Sequence, residues 1–381
     1  MEFKKTLMLS SAISAVALLA AQSASAAEAP KLKIGGYIET VAGVADTDKN
    51  SSKRTNGGTP TYGSGVTHDG EATLLQYGEI NFSATGATDS GMKWRAYVEL
   101  ASDDSGNKNG ADEVSLTLSG SWGSLDIGGQ DGAADKMQTG HTSVDMLGGN
   151  TLGAIVYDRN QQGNKARMGD QTNVMENSDN SKLTYYTPRI SGFQAGVSWY
   201  PRLSARGTLG DNESGAKGDS SGGFELGLSH RGSLAGGKYE VALVATHAAG
   251  DEVNASASAA NGNRGEGRGI GVEYEHGAWM MGASYALNKN WRVNYTTQES
   301  WGVGVGYKLG KGQIAAYYLD QSDDRGSADA QNKLYNIQYG YNFGGGLTGA
   351  VGYYDGSQKN STGGTSNNDF QLLLAKLVAK F

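Results

Sequence analysis

The feature that most constrains the fold of this chain is an alternation of apolar and polar residues in strand-length segments. In the segment 300–309 the apolar positions are Trp301, Val303, Val305, Tyr307 and Leu309. The same period of two recurs at 92–100, 113–118, 193–200 and 224–229. It is typical of β-strands, because successive side chains point to opposite faces. No segment of comparable length after residue 26 shows a helical stripe, so the sequence predicts an all-β chain.

The alternating segments number sixteen, and connectors of two kinds separate them. The predicted strands lie at 32–44, 72–85, 91–101, 112–119, 124–131, 181–189, 192–202, 222–231, 237–248, 267–276, 278–287, 297–309, 312–321, 332–343, 347–355 and 369–381. Seven connectors are short turns and eight are long loops, and the two kinds alternate along the chain. Outer-membrane barrels have short turns at one end and long loops at the other. The connectors therefore favour an antiparallel barrel of sixteen strands.

The environment of the apolar face distinguishes a soluble sandwich from a membrane barrel. Aliphatic and aromatic residues make up only 38% of the chain, which fits an interior of water and charge better than a packed core. A tilted strand needs about 9–11 residues to cross a membrane, and most of the predicted strands reach that length. Tyrosine and tryptophan recur near strand ends, as in interfacial girdles, and the 59 glycines suit a closed, curved sheet. The pattern favours a transmembrane antiparallel β-barrel, whose closure pairs every strand edge.

The first 26 residues are predicted to be a signal peptide. Lys4 and Lys5 give a positive start, residues 7–21 form an apolar stretch, and Ala24, Ser25 and Ala26 form a small-residue cleavage site. The clearest apolar run, 12–21, is shorter than the roughly 20 residues of a spanning helix. We therefore expect an exported chain whose barrel occupies residues 27–381.

The composition excludes several classes of site. There is no cysteine, which rules out disulfides, thiolate metal sites and thiol nucleophiles. The five histidines show no H-x-x-H or H-E-x-x-H spacing, and a net charge of −7 with scattered basic residues argues against nucleic-acid binding. We expect no enzyme activity, no catalytic residue, no cofactor and no metal centre. Acidic clusters in the predicted outer loops either bind Ca²⁺ or are simply hydrated: 46–48, 103–104 and 323–324.

Three segments resemble the general porin family of Gram-negative proteobacteria. Residues 180–193, which read N-S-K-L-T-Y-Y-T-P-R-I-S-G-F, resemble the hairpin that follows the long third loop of the family. Residues 32–37, L-K-I-G-G-Y, resemble the first strand. The chain ends in Phe381 after alternating apolar residues, which resembles the C-terminal signal read by the barrel-assembly machinery. The resemblance covers the whole predicted mature chain.

The resemblance implies an outer-membrane porin, assembled as a homotrimer and in contact with outer-membrane lipid and lipopolysaccharide. Its water-filled channel passes ions and small hydrophilic solutes by passive diffusion, and the third outer loop folds into the lumen as a constriction. One departure concerns the end of the fifth strand. Relatives often have Gly-Arg-Gln there, whereas this chain has Gly128, Gly129 and Gln130. The family's charge selectivity is therefore not carried over.

The longest loop, 132–180, is the candidate for the constriction. Counted from Asp131 it holds seven acidic and four basic residues: Asp131, Asp135, Asp145, Asp158, Asp170, Glu176 and Asp179 against Lys136, Arg159, Lys165 and Arg167. Strand parity places further charges on the opposing wall: Lys33, Lys93, Arg95, Lys182 and Lys308 with Glu39, Glu79, Glu99 and Glu113. Carboxylates on the loop then face basic groups on the wall, and their field orients and ranks solutes.

The candidate pore-lining residues are Lys33, Glu79, Lys93, Arg95, Glu99, Asp131, Asp135, Asp145, Asp158 and Arg159. The chain without its predicted signal peptide has a net negative charge, which suggests a mild preference for cations. The final strand is apolar on both faces over 372–378, which suggests contact with a neighbouring subunit.

Two other functions stay open at this point. One is a substrate-specific channel, because inward-facing tyrosines leave a sugar path possible: Tyr37, Tyr77, Tyr97 and Tyr200. The other is a surface adhesin that uses the barrel only as an anchor, which would pass no current.

Overall fold

A computed structural model describes residues 30–47, 55–56, 59–60, 72–102, 111–147, 174, 179, 181–202, 221–248, 265–292, 295–324, 329–359 and 368–381. The predicted signal peptide and two of the candidate pore residues, Asp158 and Arg159, lie outside these ranges. Within the described ranges, no helix has both the length and the apolar composition needed to cross a membrane.

Strands make up almost all of the described chain. They are β1 (Lys31–Thr47), β2 (Thr55–Asn56), β3 (Thr59–Pro60), β4 (Ala72–Ala87), β5 (Lys93–Ser102), β6 (Glu113–Gly120), β7 (Gly123–Gly129), β8 (Ser181–Tyr186), β9 (Phe193–Arg202), β10 (Ser221–Leu234), β11 (Gly237–Ala248), β12 (Glu266–His276), β13 (Trp279–Arg292), β14 (Tyr295–Leu309), β15 (Gly312–Asp324), β16 (Ala330–Gly344), β17 (Leu347–Lys359) and β18 (Asn368–Lys380). All sixteen predicted strands are confirmed, with bounds that differ by a few residues. The β2–β3 hairpin was not predicted, because two-residue strands carry no detectable alternation.

Sixteen of these strands form one closed antiparallel barrel, which confirms the predicted fold class. Each strand pairs with its neighbour in sequence, and β1 pairs with both β4 and β18. At the seam the backbone N–H of Phe381 donates to the carbonyl oxygen of Gly36 at 3.1 Å, and the N–H of Gly36 donates back at the same distance. Closure gives the first and last strands a partner on each side, so neither is left as a free edge.

The apolar face of the barrel is its outer face. Exposed apolar side chains such as Ile38, Ile270 and Leu373 alternate with polar or small residues that point the other way. A membrane barrel turns its apolar side toward lipid and its polar side toward the lumen, so we take the polar face as the inner one. Aromatic pairs lie on the outer face toward opposite ends of the strands: Trp301–Tyr318 at 5.1 Å and Trp279–Tyr307 at 4.8 Å between ring centroids. Their placement matches interfacial girdles.

Part of the inner face carries packed apolar side chains. Twelve buried residues form one cluster on β1, β4, β15–β18 and the loop after β7: Val41, Ala45, Leu75, Leu147, Tyr317, Leu319, Leu334, Ala350, Tyr354, Phe370, Leu372 and Leu374. The expectation of an interior filled only by water and charge is therefore wrong for this part of the wall. The cluster also explains why the last strand is apolar on both faces. Leu372 and Leu374 pack inside, while Leu373 and Leu377 face outward and are more than half exposed.

Candidate functional site

The loop between β7 and β8 follows the inner face of the barrel over the part that the structure describes, 130–147. It contains a short helix, α1 (Ala133–Met137), and a 3₁₀ turn (His141–Val144). The helix contacts β8–β11, the turn contacts β12–β15, and Leu147 joins the apolar cluster on β1, β4 and β15–β18. From α1 onward this segment therefore runs along the wall from β8 to β18.

The start of the segment is attached through buried polar groups. The N–H of Ala134 donates to Oε2 of Glu225 at 3.2 Å, and the N–H of Ala133 donates to Oγ of Ser198 at 2.7 Å. The first backbone N–H groups of a helix have no hydrogen-bond acceptor within the helix. These two side chains therefore supply the acceptors for the start of α1. Glu225 also lies 3.6 Å from the ammonium of Lys182, and both side chains are fully buried. Gly132 passes so close that a Cβ there would lie 1.8 Å from Oε2 of Glu225.

The middle of the segment rests on β12–β15. Nδ1 of His141 lies 2.7 Å from Oγ of Ser284, and the hydroxyl of Thr139 donates to the carboxylate of Glu273. Gln313 donates to the carbonyl oxygen of Val144 at 3.1 Å. Wall side chains on three strands therefore bind this stretch.

The end of the segment is bound by two inward side chains. Oε1 of Gln338 accepts from the N–H groups of Met146 and Leu147 at 3.0 and 3.1 Å, and its Nε2 donates to Asp145 at 2.9 Å. The ammonium of Lys376 donates to the carbonyl oxygen of Leu147 at 2.6 Å and pairs with Glu39 at 2.8 Å. Asp145, one of the candidate pore residues, therefore bonds to the wall.

Carboxylates gather where the start of the loop meets β4–β6. Oxygen atoms of Glu113, Asp131 and Asp179 all lie within 4.8 Å of one another. On the adjacent strands, Glu79 accepts from the hydroxyl of Tyr37 at 2.9 Å, and Glu99 accepts from Tyr97 and from Asn81. We call these carboxylates, together with Asp135, the acidic wall: Glu79, Glu99, Glu113, Asp131, Asp135 and Asp179.

Among the described residues, three basic side chains near the acidic wall each contact another group. Lys136 donates to Gln130 at 2.9 Å and lies 3.9 Å from Asp126. Arg95 stacks 4.3 Å above the ring of Tyr97 and donates to Ser83. The predicted wall lysine Lys182 is buried against Glu225. Of the mixed charges that the sequence predicted for this wall, the described groups beside Asp131 are thus mainly the carboxylates.

The remaining basic candidates lie toward the end of the barrel with the short turns. Lys33 and Lys93 are exposed near the first residues of β1 and β5. Lys308 pairs with Glu275 at 3.2 Å beside the β12–β13 turn. These three lysines are therefore placed away from the start of the loop.

Burial changes the acidity of the two loop carboxyls. The pKa of Asp131 is raised mainly by burial and further by the charges of Asp135 and Asp179, while Lys136 and Lys182 oppose the rise. The pKa of Asp135 is also raised by burial, against a hydrogen bond from Gln138 and the same two lysines. Both side chains therefore hold a proton at higher pH than an ordinary aspartate.

The residues that attach the loop were not predicted. Glu225, Gln338 and Lys376 are inward positions in the alternation, but nothing local distinguishes them from other polar inward residues. Glu225 alone carries a detectable signal, a long charged side chain between two inward glycines, Gly223 and Gly227.

Solved structures of outer-membrane barrels share this architecture. The anion-selective porin from Comamonas acidovorans superposes with a TM-score of 0.59 at 14% identity, covering 93% of this chain and 100% of that chain. OmpF of Salmonella typhi in complex with daunomycin gives 0.59 at 15% identity, with 92% and 98% covered. The in-vitro folded trimer form of OmpT, an outer membrane protein of Vibrio cholerae, gives 0.58 at 14% identity, with 93% and 100% covered.

At these identities the likeness shows the fold alone. No curated protein sequence matches the chain. The sequence profile of the Gram-negative porins matches residues 12–361, which confirms the resemblance seen in the sequence: the chain belongs to the Gram-negative porin family.

Proposed function

We propose that this outer-membrane porin forms a water-filled channel for passive diffusion of ions and small hydrophilic solutes, with a preference for cations. The observation that carries the proposal is the acidic wall, which faces the inside of a closed barrel and includes both loop and strand carboxylates. Diffusion down a gradient needs no catalysis and no cofactor, and we assign the protein neither.

We place the passage on one side of the lumen. Residues 130–147, the described part of the loop, lie against the wall from β8 to β18, which supports a path beside β4–β6. We infer that the start of the loop, with Asp131 and Asp135, and the neighbouring strands, with Glu79, Glu99 and Glu113, together form one side of the narrowest section. Of the ten predicted pore residues, this proposal retains Glu79, Glu99, Asp131 and Asp135.

Charge at this section favours cations. Two like unit charges 4.8 Å apart repel by about 3.5 kcal/mol at an effective dielectric constant near 20. A passing cation relieves that repulsion, whereas an anion adds to it. Since Lys182 is paired with Glu225 and Lys136 lies near Asp126, the described charges at this section are on balance negative.

The oligomeric state and the membrane partners are those expected from the resemblance to the porin family. We propose a homotrimer in contact with outer-membrane lipid and lipopolysaccharide. We also propose that the barrel-assembly machinery recognises its C-terminal Phe381. The protein enters the export path through the predicted signal peptide, residues 1–26.

Conductance in a planar bilayer tests the function directly. Purified protein is added to one side of a bilayer under a salt gradient, and the step size and reversal potential are recorded. We expect large ohmic steps, grouped in threes, and a potential that is positive on the dilute side because cations cross more readily. Insertion without current would contradict the channel and favour a barrel-anchored adhesin. A potential of opposite sign would contradict the cation preference alone.

A further inference from the structure

The wall beneath the loop is formed by glycines. A Cβ built on Gly271 would lie 1.7 Å from the carbonyl oxygen of Thr139, and one on Gly282 would lie 2.1 Å from that of Gly140. Similar close approaches to loop atoms occur on seven strands, and we call these residues the glycine track: Gly196, Gly227, Gly271, Gly282, Gly302, Gly304, Gly340 and Gly352. Any side chain at most of these positions would push the loop away from the wall.

The backbone of the track does not itself require glycine. None of the eight residues has a positive φ, so an ordinary residue could adopt each conformation. Glycine within a strand weakens it, because it adds chain entropy to the unfolded state and offers no side chain for packing. The space taken by the loop is therefore the physical reason for these residues.

The track is continuous around the wall. It runs through β9, β10, β12, β13, β14, β16 and β17, and on two of the intervening strands the inward residues are the buried alanines Ala242 and Ala315. Its path matches that of segment 130–147. Glu225 at one end and Gln338 at the other accept hydrogen bonds from loop N–H groups and hold the loop onto it.

We infer that the glycine track, with Glu225 and Gln338, positions the loop and thereby sets the width and ion selectivity of the passage beside β4–β6. None of these residues needs to touch a solute. They act through the loop, whose start carries Asp131 and Asp135. The effect on permeation rests on the proposed function, whereas the effect on loop position does not.

Barrel curvature is the competing explanation for inward glycines, and β14 separates the two. A Cβ on Gly302 would lie 2.6 Å from the ring of His141, whereas the nearest atom to a Cβ on Gly306 is 3.4 Å away. Both residues lie on the same strand and face. If curvature were the reason, alanine would have the same effect at either position.

A glycine that faces loop backbone gives the sharpest test. A Cβ on Gly271 would lie 1.7 Å from the carbonyl oxygen of Thr139, a clash that no side-chain rotation can relieve. Gly271→Ala and Gly302→Ala should therefore displace the loop, change unit conductance and shift the reversal potential. Gly306→Ala should match the parent. Gly340→Ala should have a smaller effect than Gly271→Ala, because its Cβ would meet the flexible end of Met146.

The position of the loop can be measured independently of channel conductance. The chain has no cysteine, so spin labels at Ser143→Cys on the loop and Ala96→Cys on the outer face of β5 report one distance. Heat-modifiable gel mobility confirms that each variant is folded. We expect the distance distribution to shift or broaden in Gly271→Ala and Gly302→Ala, and to stay as in the parent in Gly306→Ala.

Two results would overturn the inference. One is an unchanged distance in folded Gly271→Ala and Gly302→Ala protein, and the other is an equal change in Gly306→Ala. If the parent passes no current while the distances behave as expected, the channel proposal fails and the positioning of the loop stands. A track variant that does not fold is replaced by Gly304→Ala, whose Cβ would approach the carbonyl oxygen of His141 less closely, at 2.8 Å.

Discussion

The carboxylate of Glu225 lies 3.6 Å from the ammonium of Lys182, and neither side chain is exposed to solvent. The same carboxylate accepts the N–H of Ala134 at the start of α1. Removing two charges from water is costly, and mutual attraction with added hydrogen bonds offsets that cost only while both partners are present. The pair therefore couples the wall to the loop.

Removing the cation of this pair should destabilise the barrel. Lys182→Met leaves a buried carboxylate without its counter-charge, and we expect a loss of about 3–5 kcal/mol in the free energy of unfolding. The double variant Lys182→Met/Glu225→Gln should recover much of that loss, because no buried charge remains. Urea unfolding in detergent or lipid measures both.

A matched control is Lys308→Met, which removes an exposed ammonium 3.2 Å from Glu275. Exposed pairs contribute at most about 1 kcal/mol, so this variant should stay close to the parent. Equal losses in the free energy of unfolding for Lys182→Met and Lys308→Met would show that burial does not govern the contribution of an ion pair to stability.

Neutralising the acidic wall should reduce the cation preference. In Glu99→Gln/Glu113→Gln the shape is kept and two negative charges are lost, so the reversal potential under a salt gradient should move toward zero. Glu299→Gln is the control, because Glu299 lies on the outer face and bonds to Tyr285. A potential that responds equally to both changes would place the selective section elsewhere.

Selectivity should depend on pH through the two loop carboxyls. Burial raises the pKa of Asp131 and Asp135, so as the pH falls they lose charge before an ordinary aspartate, whose pKa is about 3.9. We expect the cation preference to decline between pH 8 and pH 4. The Asp131→Asn/Asp135→Asn variant should show a flatter profile over this range, and an identical profile would contradict the assignment.

The same shift has a consequence for stability. The folded chain binds these two protons more tightly than the unfolded chain, so their contribution to stability falls as the pH rises from the ordinary aspartate value through the raised one. Urea midpoints of the parent and the Asp131→Asn/Asp135→Asn variant should therefore converge at low pH.

The C-terminal phenylalanine should matter for assembly more than for the finished channel. Its backbone bonds to Gly36, whereas the residue as a whole is 62% exposed. We expect Phe381→Ala to lower the yield of folded barrel in cells, while protein refolded in vitro keeps the parent conductance. Phe343→Ala, which removes another exposed aromatic ring at the end of β16, is the control. Equal cellular yields for the two variants would contradict an assembly role for Phe381.

The strands were predictable because their signal is local. The alternation over 301–309 specifies a strand with one apolar face whatever the rest of the chain does, and β14 includes that segment. The ends of strands were less well predicted. The fifth predicted strand was extended to Asp131, yet β7 ends at Gly129, because the chain turns there into the loop.

The candidate site was predicted only in part. The alternation of inward and outward residues along each strand correctly placed Glu79, Glu99 and Glu113 on the inner face with Arg95. It also placed Lys182 there, but it could not show that this lysine is buried against a carboxylate 43 positions away. The hydrogen bond between Asp145 and Gln338, 193 positions later, was likewise not predictable from the sequence.

The sequence by itself determined the strand number, the alternation of turns and loops, the outward apolar face and the family. These follow from short-range patterns of side-chain character and connector length. Only the tertiary structure decided the path of the loop, the apolar packing inside β15–β18 and the grouping of carboxylates beside β4–β6. Those features depend on which inward residues meet when the sheet closes. Contacts between residues far apart in sequence leave no periodic trace along the chain.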